Sequence, residues 1–252
     1  MVSKWKQKNG FWYSKVASYT DCPKKYELRY LHDTPYPGAR SADLLFGSAI
    51  HASIEAMFEG ENYLDTFDIY WNPLEEANDV VYGRFDWKYL KRCGATLLRK
   101  FNNRYLKKIT PKFLEVRTKG KIGEHSFEGT PDVVGEYEGV PSVIDFKTSG
   151  YAYDKRKVLT AEQLTCYDHL MQDVYKAEQL VYIVLVKYNM SIQNPLILKL
   201  TDELRAGIIK NMEQWITDIK NVQTYKKNYN SCIKGKIVCP YFDVCHKGDS
   251  NE

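Results

Sequence analysis

No Gly-x-x-x-x-Gly-Lys-Ser/Thr motif occurs in the sequence, so the chain has no P-loop and any nucleotide-driven motor must come from a partner. Long hydrophobic runs are also missing. The longest, Leu180 to Val186, is far short of the roughly 20 residues a membrane-spanning helix needs. No charged, apolar and small-residue leader opens the sequence, and no repeat, low-complexity tract or Pro/Gly-rich linker interrupts it. An excess of one charge is absent too: the net charge is +4 over 252 residues, so a basic surface for an acidic partner must be local. With 44% hydrophobic and 27% charged residues, these absences predict one soluble domain, without membrane association, in a reducing cytoplasmic setting.

Periodicity sets the expected order of elements. Ser18 is read as an N-cap, with Pro23 in the first turn of a further basic helical piece containing Lys24, Lys25 and Arg29. The basic and aromatic segment 1–17, with Lys4, Trp5, Lys6 and Lys8, shows no clear period, and 35–38 is a loop. Phe46, Ile50, Ile54 and Met57 stripe a helix over 43–59, which also carries His51. A short helix is expected within 60–86. Leu90, Cys93, Leu97, Phe101 and Tyr105 stripe a helix over 86–108. Strands follow at 113–119, 127–137 and 140–148, then a helix at 160–176, strands at 180–188 and 195–200, and a helix at 201–222 capped by Thr201. This order predicts an α/β fold with a central mixed sheet flanked by helices.

The stretch Gly129 to Lys147 carries the chemistry. Two apolar runs flank a Glu138-Gly139 centre suited to a tight hairpin turn. Symmetric pairing about that centre sets Asp132 opposite Asp145, with Cβ atoms roughly 4.5 to 5.5 Å apart, so the carboxylates repel unless a cation or shared proton lies between them. Lys147 shares the face of Asp145, while Ile144 and Phe146 face the core. Carboxylate oxygens on a rigid sheet suit Mg²⁺ or Mn²⁺, and an added imidazole tilts the choice towards Mn²⁺.

Gly-x-x-Asp, Asp-x-Lys thirteen residues after that Asp, and Gln163-x-x-x-Tyr167 resemble the RecB-like branch of the PD-(D/E)XK nuclease superfamily. Gly47-x-x-x-His51 and Ser18-x-x-x-Cys22-Pro23 are similar to two further motifs of that branch, in the same order. The resemblance implies a restriction-endonuclease-like core, metal ligation by His51, Asp132, Asp145 and the Phe146 carbonyl, and Lys147 as the catalytic lysine. It also implies that Gln163 and Tyr167 contact nucleic acid. Glu115 matches an acidic position of some relatives, where it serves behind the ligands or at a second cation; an ordinary surface glutamate is the alternative.

Three of the six cysteines fall in the last 21 residues. Cys232, Cys239 and Cys245 are similar to the C-terminal triplet of the branch's iron–sulfur members, which include AddB-type nucleases and CRISPR-associated exonucleases. By that resemblance Cys22 supplies the fourth thiolate of a 4Fe-4S cluster. Zn²⁺, with His246 as a further ligand, and plain reduced thiols are the alternatives. The implied division is a helical part at 18–110, a sheet core with the metal site at 111–200, and a final helix with a Cys-rich tail at 201–252 packing on the Cys22 region. Lys24 and Lys25 are candidates for tracking phosphates and Tyr19, Tyr26 and Tyr30 for stacking bases, or else a solvated face. The expected activity is a Mg²⁺- or Mn²⁺-dependent deoxyribonuclease, an exonuclease on DNA ends or single strands in recombination or repair, served by a separate helicase or recombinase. A structure-selective or nicking endonuclease and an idle DNA-end-binding module are the rivals.

Overall fold

The computed structural model describes residues 10–32, 34, 40–156, 161–234 and 237–247; Lys4, Trp5, Lys6, Lys8, the loop at 35–38 and Thr160 lie outside the described residues. In chain order the elements are α1 (Tyr13–Asp21), α2 (Pro23–Tyr30), β1 (Arg40–Ser41), α3 (Ala42–Glu59), α4 (Tyr63–Trp71), β2 (Val80–Val81) and α5 (Trp87–Arg104). There follow β3 (Ile109–Leu114), β4 (Thr118–Ile122), β5 (His125–Gly129), β6 (Val133–Tyr137), β7 (Val140–Ser149), α6 (Glu162–Met171), β8 (Gln179–Val186), β9 (Ser191–Ile192) and β10 (Leu196–Lys199). The chain closes with α7 (Asp202–Asn221), β11 (Ile233–Lys234), β12 (Ile237–Val238) and α8 (Phe242–His246). These form two compact units, one of Ala39–Thr118 and Thr130–Ala206, the other of Met1–Gly38, Lys119–Gly129 and Gly207–Glu252.

The larger unit holds the expected mixed sheet, in the order β10-β8-β7-β6-β3 with β9 on β8. Only β7 and β8 run parallel within it, and α6 makes the crossover that a parallel pair requires. Strand alternation divides the sheet's residues between two cores. Val133, Ile144, Phe146, Val181, Ile183 and Leu185 pack with α3, α4 and α5. Val134, Val143, Leu180, Tyr182 and Val184 pack with α6. The helix over α5 forms for a legible reason: Asp86 caps it, accepting from the Tyr89 N–H at 2.7 Å, and Leu90, Cys93, Leu97 and Phe101 are buried on one side.

Several boundaries differ from expectation. Ser18 is buried inside α1 and caps nothing; the helix break falls at Cys22, because Pro23 suits only a first turn. The expected strand at 113–119 begins earlier, at Ile109, and tolerates Pro111 because β3 is an edge strand that shifts register between Pro111 and Phe113. The expected strand at 127–137 is broken at Pro131, which cannot donate to a ladder, and its first part instead pairs with β4 through a turn at Gly123 (φ 56°). On α7 the buried stripe is Ile208, Met212, Ile216 and Ile219, with Trp215 half-buried beside it.

The β6–β7 hairpin forms as read. Glu138 (φ 51°) and Gly139 (φ 79°) make its two-residue turn, and Val133 pairs with Ile144. Close backbone approach is needed at Gly135, where a Cβ would overlap the Thr110 carbonyl oxygen and lie 2.9 Å from the Lys112 nitrogen. Gly135→Ala is therefore expected to destabilise by about 3 kcal/mol, lowering the thermal midpoint by roughly 6 °C or more. Gly139→Ala meets no neighbour and should cost about 1 kcal/mol, from its positive φ alone. Equal midpoints for the two variants would contradict this packing.

Candidate metal centre

Three elements of the larger unit bring an imidazole and two carboxylates together. His51 projects from α3 one turn after Gly47, which faces β7: a Cβ at Gly47 would sit 3.4 Å from Thr148 Oγ1, in ordinary contact. Glu115 follows β3 in the left-handed region (φ 44°), a conformation a glutamate adopts only when its surroundings enforce it. The enforcing contact is its own N–H, which donates to the Asp132 carbonyl at 3.0 Å. Asp132 precedes β6, is 8% exposed, and its Oδ2 accepts from the Phe146 N–H at 2.6 Å. His51 Nδ1 lies 3.3 Å from Asp132 Oδ1 and 4.0 Å from Glu115 Oε1. One ligand atom from each of the three lies within 4.8 Å of the others. They line a small cavity of about 10 Å³ together with Glu55, Phe58, Leu114, Val133 and Phe146, room for about one water-sized body.

Asp145 lies outside this close group. Its carboxylate is 2% exposed and faces Lys147, whose Nζ is 3.0 Å from Oδ1 and 2.8 Å from Oδ2. The second approach lacks hydrogen-bond geometry, which leaves Oδ2 a buried oxygen with an unused lone pair. Lys147 Nζ also donates to Gln163 Oε1 at 3.0 Å, and Gln163 Nε2 donates to the Tyr167 hydroxyl at 2.8 Å. Alternation explains the chain of contacts, since Val143 on β7 packs on the α6 side and Asp145 and Lys147 share its parity.

Burial and like charge set the electrostatics. His51 is pushed up to about 9: burial lowers its pKa, but the hydrogen bond and charge of Asp132 outweigh that. Glu115 rises to about 7 through burial and then the charge of Asp132. Asp145 is raised by burial and by Asp132, against the pull of Lys147. Burial lowers the Lys147 pKa, yet Asp145 raises it further, so the amine stays an ammonium. Carboxylates that resist ionising, one orphaned oxygen and a single imidazole nitrogen fit a hard divalent cation such as Mg²⁺ or Mn²⁺.

Glu55 was not anticipated. It lines the cavity one helical turn after His51, and the signal available in the sequence was the i, i+4 spacing alone. The smaller unit holds the other candidates. Cys22 is buried at the start of α2, and its Sγ accepts from the Asn228 N–H at 3.4 Å. Cys239 N–H donates to the Cys232 carbonyl at 2.7 Å, and Cys232 Sγ lies 3.8 Å from His246 Nε2. Among the described residues these sulfurs form no group within the span that joins His51, Glu115 and Asp132. Lys24 pairs with Glu27 at 2.6 Å and Lys25 with Asp21 at 3.3 Å, both on neighbouring turns. Tyr26 is 1% exposed, packed among Tyr19, Tyr30 and Tyr225, and so offers no face to a base.

A mixed sheet whose central hairpin carries acidic residues and a lysine is the architecture of a PD-(D/E)XK core. The family model for the PD-(D/E)XK nuclease superfamily matches residues 13–246, and the chain belongs to that superfamily. Among solved structures it is similar to the putative exonuclease from Eubacterium rectale, at 15% identity and TM-score 0.55 over 90% of each chain. SSO0001 is a more distant likeness, at 16% identity and TM-score 0.33 over 70% of this chain and 74% of that one. No curated protein matches. Among the described residues, no helix is long and apolar enough to cross a membrane.

In metal-free protein both raised groups bind more protons folded than unfolded, so each contributes stability at low pH that is lost as pH rises. For Glu115 the loss runs from its ordinary 4.5 to about 7, and for His51 from 6.5 to about 9. The thermal midpoint in EDTA should therefore fall from about pH 5 to about pH 9, and less steeply in Asp132→Asn, which removes the charge acting on both. An NMR titration placing His51 below its ordinary value in the parent protein would contradict this arrangement.

Proposed function

We propose that the protein is a Mg²⁺- or Mn²⁺-dependent deoxyribonuclease that hydrolyses phosphodiester bonds as an exonuclease, at DNA ends or on single strands, in recombination or repair. The observation that carries the reading is the His51, Glu115 and Asp132 group beside the Asp145–Lys147 pair, in a chain of a nuclease superfamily. The RecB-like order of its motifs favours the exonuclease over an endonuclease, in agreement with the name of the Eubacterium rectale structure.

His51, Asp132 and Glu115 would hold the cation, with Asp145 and the Phe146 carbonyl as the further oxygens that the RecB-like resemblance implies. When bound, the ion supplies Lewis acidity, making water a better nucleophile and offsetting phosphate charge. Lys147, kept protonated by Asp145, is suited to donate hydrogen bonds to the attacking water or to a phosphate oxygen as negative charge develops. Gln163 holds the ammonium in place and is itself held by Tyr167, so strand binding at α6 is coupled to the position of Lys147.

The four cysteines are read as 4Fe-4S ligands, supported by their resemblance to the iron–sulfur members and by their free state. A tetrahedral zinc site would bring its ligand atoms to roughly 3.8 Å of one another; Cys232 Sγ and His246 Nε2 have that spacing, but among the described residues no third ligand joins them, which does not favour zinc. Free thiols fit a reducing, cytoplasmic setting. A separate helicase or recombinase would supply unwound DNA, since the chain has no P-loop.

With Mg²⁺ or Mn²⁺, end-labelled linear DNA should be degraded while circular single strands and supercoiled circles persist. Lys147→Ala and Asp145→Ala should each slow cutting by about a hundredfold or more. Cutting that survives both substitutions would falsify the site, cutting of closed circles would move the assignment to an endonuclease, and end binding without cutting would support an idle module. Anaerobic purification should yield a brown protein containing iron and sulfide, and its colour should be lost in Cys232→Ala. A colourless, zinc-loaded protein would overturn the cluster.

A further inference from the structure

Two large aromatic side chains stand exposed where β7 and β8 end side by side. Tyr151 is 57% and Tyr188 54% exposed, yet their rings are stacked, with centroids 5.5 Å apart and planes 28° apart. The Arg84 guanidinium lies over both, 4.7 Å from the Tyr188 centroid and 5.4 Å from that of Tyr151, and it bonds to the Tyr151 hydroxyl. Arg84 is exposed and, among the described residues, pairs with no carboxylate, so its charge is free for an anion.

The cluster is fixed in place. The Tyr188 N–H donates to the Gly150 carbonyl at 3.1 Å, which continues the parallel pairing past the end of β7. The Tyr89 hydroxyl shares its one proton between the carbonyl oxygens of Lys187 and Tyr188, 2.7 and 2.8 Å away, clamping that segment to α5. Exposed aromatic rings held rigidly beside an unpaired guanidinium are the combination that binds unstacked bases and their phosphates.

Position gives the cluster its meaning. Tyr151 lies four residues beyond Lys147 along the same chain segment. With β7 ending at Ser149, that separation is at most roughly 13 Å, the span of no more than about four nucleotides at the ~3.4 Å spacing of one strand. We propose that Tyr151, Tyr188 and Arg84 form a stacking platform for single-stranded DNA, gripping bases a few nucleotides from the phosphate at Lys147. This rests on the nuclease reading above and specifies its substrate as an unpaired strand. A blunt duplex keeps its bases stacked on one another and presents nothing to such a platform.

Fluorescence anisotropy of a short labelled oligothymidylate in EDTA, where no cutting occurs, tests the proposal. The Tyr151→Ala, Tyr188→Ala double variant should bind about tenfold more weakly or worse, with the salt dependence of binding unchanged. The matching double phenylalanine variant, which keeps both rings, should bind like the parent. Arg84→Ala should reduce the slope of log affinity against log salt by about 0.7, the value for one lost phosphate contact on a single strand. An abasic strand of equal length should bind the parent as weakly as oligothymidylate binds the double alanine variant. Alanine variants that fold with the parent's thermal midpoint and bind as tightly, or a blunt duplex bound as well as the single strand, would overturn the platform. A parent that cuts DNA while its alanine variant binds unchanged sinks the platform alone; a parent that neither cuts nor binds DNA with metal present sinks the nuclease reading as well.

Discussion

The contact on which the larger unit's chemistry depends is the bond from the Phe146 N–H to Asp132 Oδ2. Buried carboxylates repel one another, and Asp132 acts against both Glu115 and Asp145, raising the pKa of each. A donor from β7 anchors Asp132 in the middle of this crowd, and the Asp132 carbonyl in turn fixes the Glu115 backbone. The unfavourable electrostatics are thus built into the backbone geometry and are relieved by a cation or by protons. A site assembled in this way is preorganised, because little needs to move when the charge arrives.

The same sheet separates packing from chemistry by parity. Ile144 and Phe146 join the core under α3 and α5, while Val143 joins the core under α6 and leaves Asp145 and Lys147 on its side. Asp132 crosses this division by reaching the backbone of Phe146, not its side chain. One hairpin can therefore serve a dense apolar core and a polar site together. A register slip of one residue would exchange the two sets, which is why the close approach at Gly135 and the tight turn at Glu138-Gly139 matter to the site as well as to stability.

Features governed by period and turn chemistry were legible in the sequence. The hairpin, the shared face of Asp145 and Lys147, the Asp86-led helix and the buried stripe of α5 all follow from local spacing; the grouping of Asp132 with His51 and Glu115 does not. What depends on tertiary enforcement was not. Glu115 takes a left-handed conformation that nothing local predicts, and Glu55 reaches the cavity only because α3 packs where it does. Tyr26 shows the converse: its sequence context suggests a solvent-facing platform, but its neighbours Tyr19 and Tyr30 and the sequence-distant Tyr225 close around it. Lys24 and Lys25 sit beside carboxylates one turn away, so a run of basic residues proved to be largely self-neutralised.

The C-terminal tail poses a different physical problem. Among the described residues from 222 to 247, Tyr241 alone is buried. Hydrogen bonds from Asn228 and Ser231 to Asp21, and from Lys24 N–H to Lys226, tie the segment to the end of α1 and the start of α2, but each contributes only about 1 kcal/mol. A cluster held by its cysteines, as proposed above, would add a crosslink to these ties. The chain would then keep hard oxygen and imidazole donors in one unit and soft thiolates in the other, so that each unit selects its own class of metal.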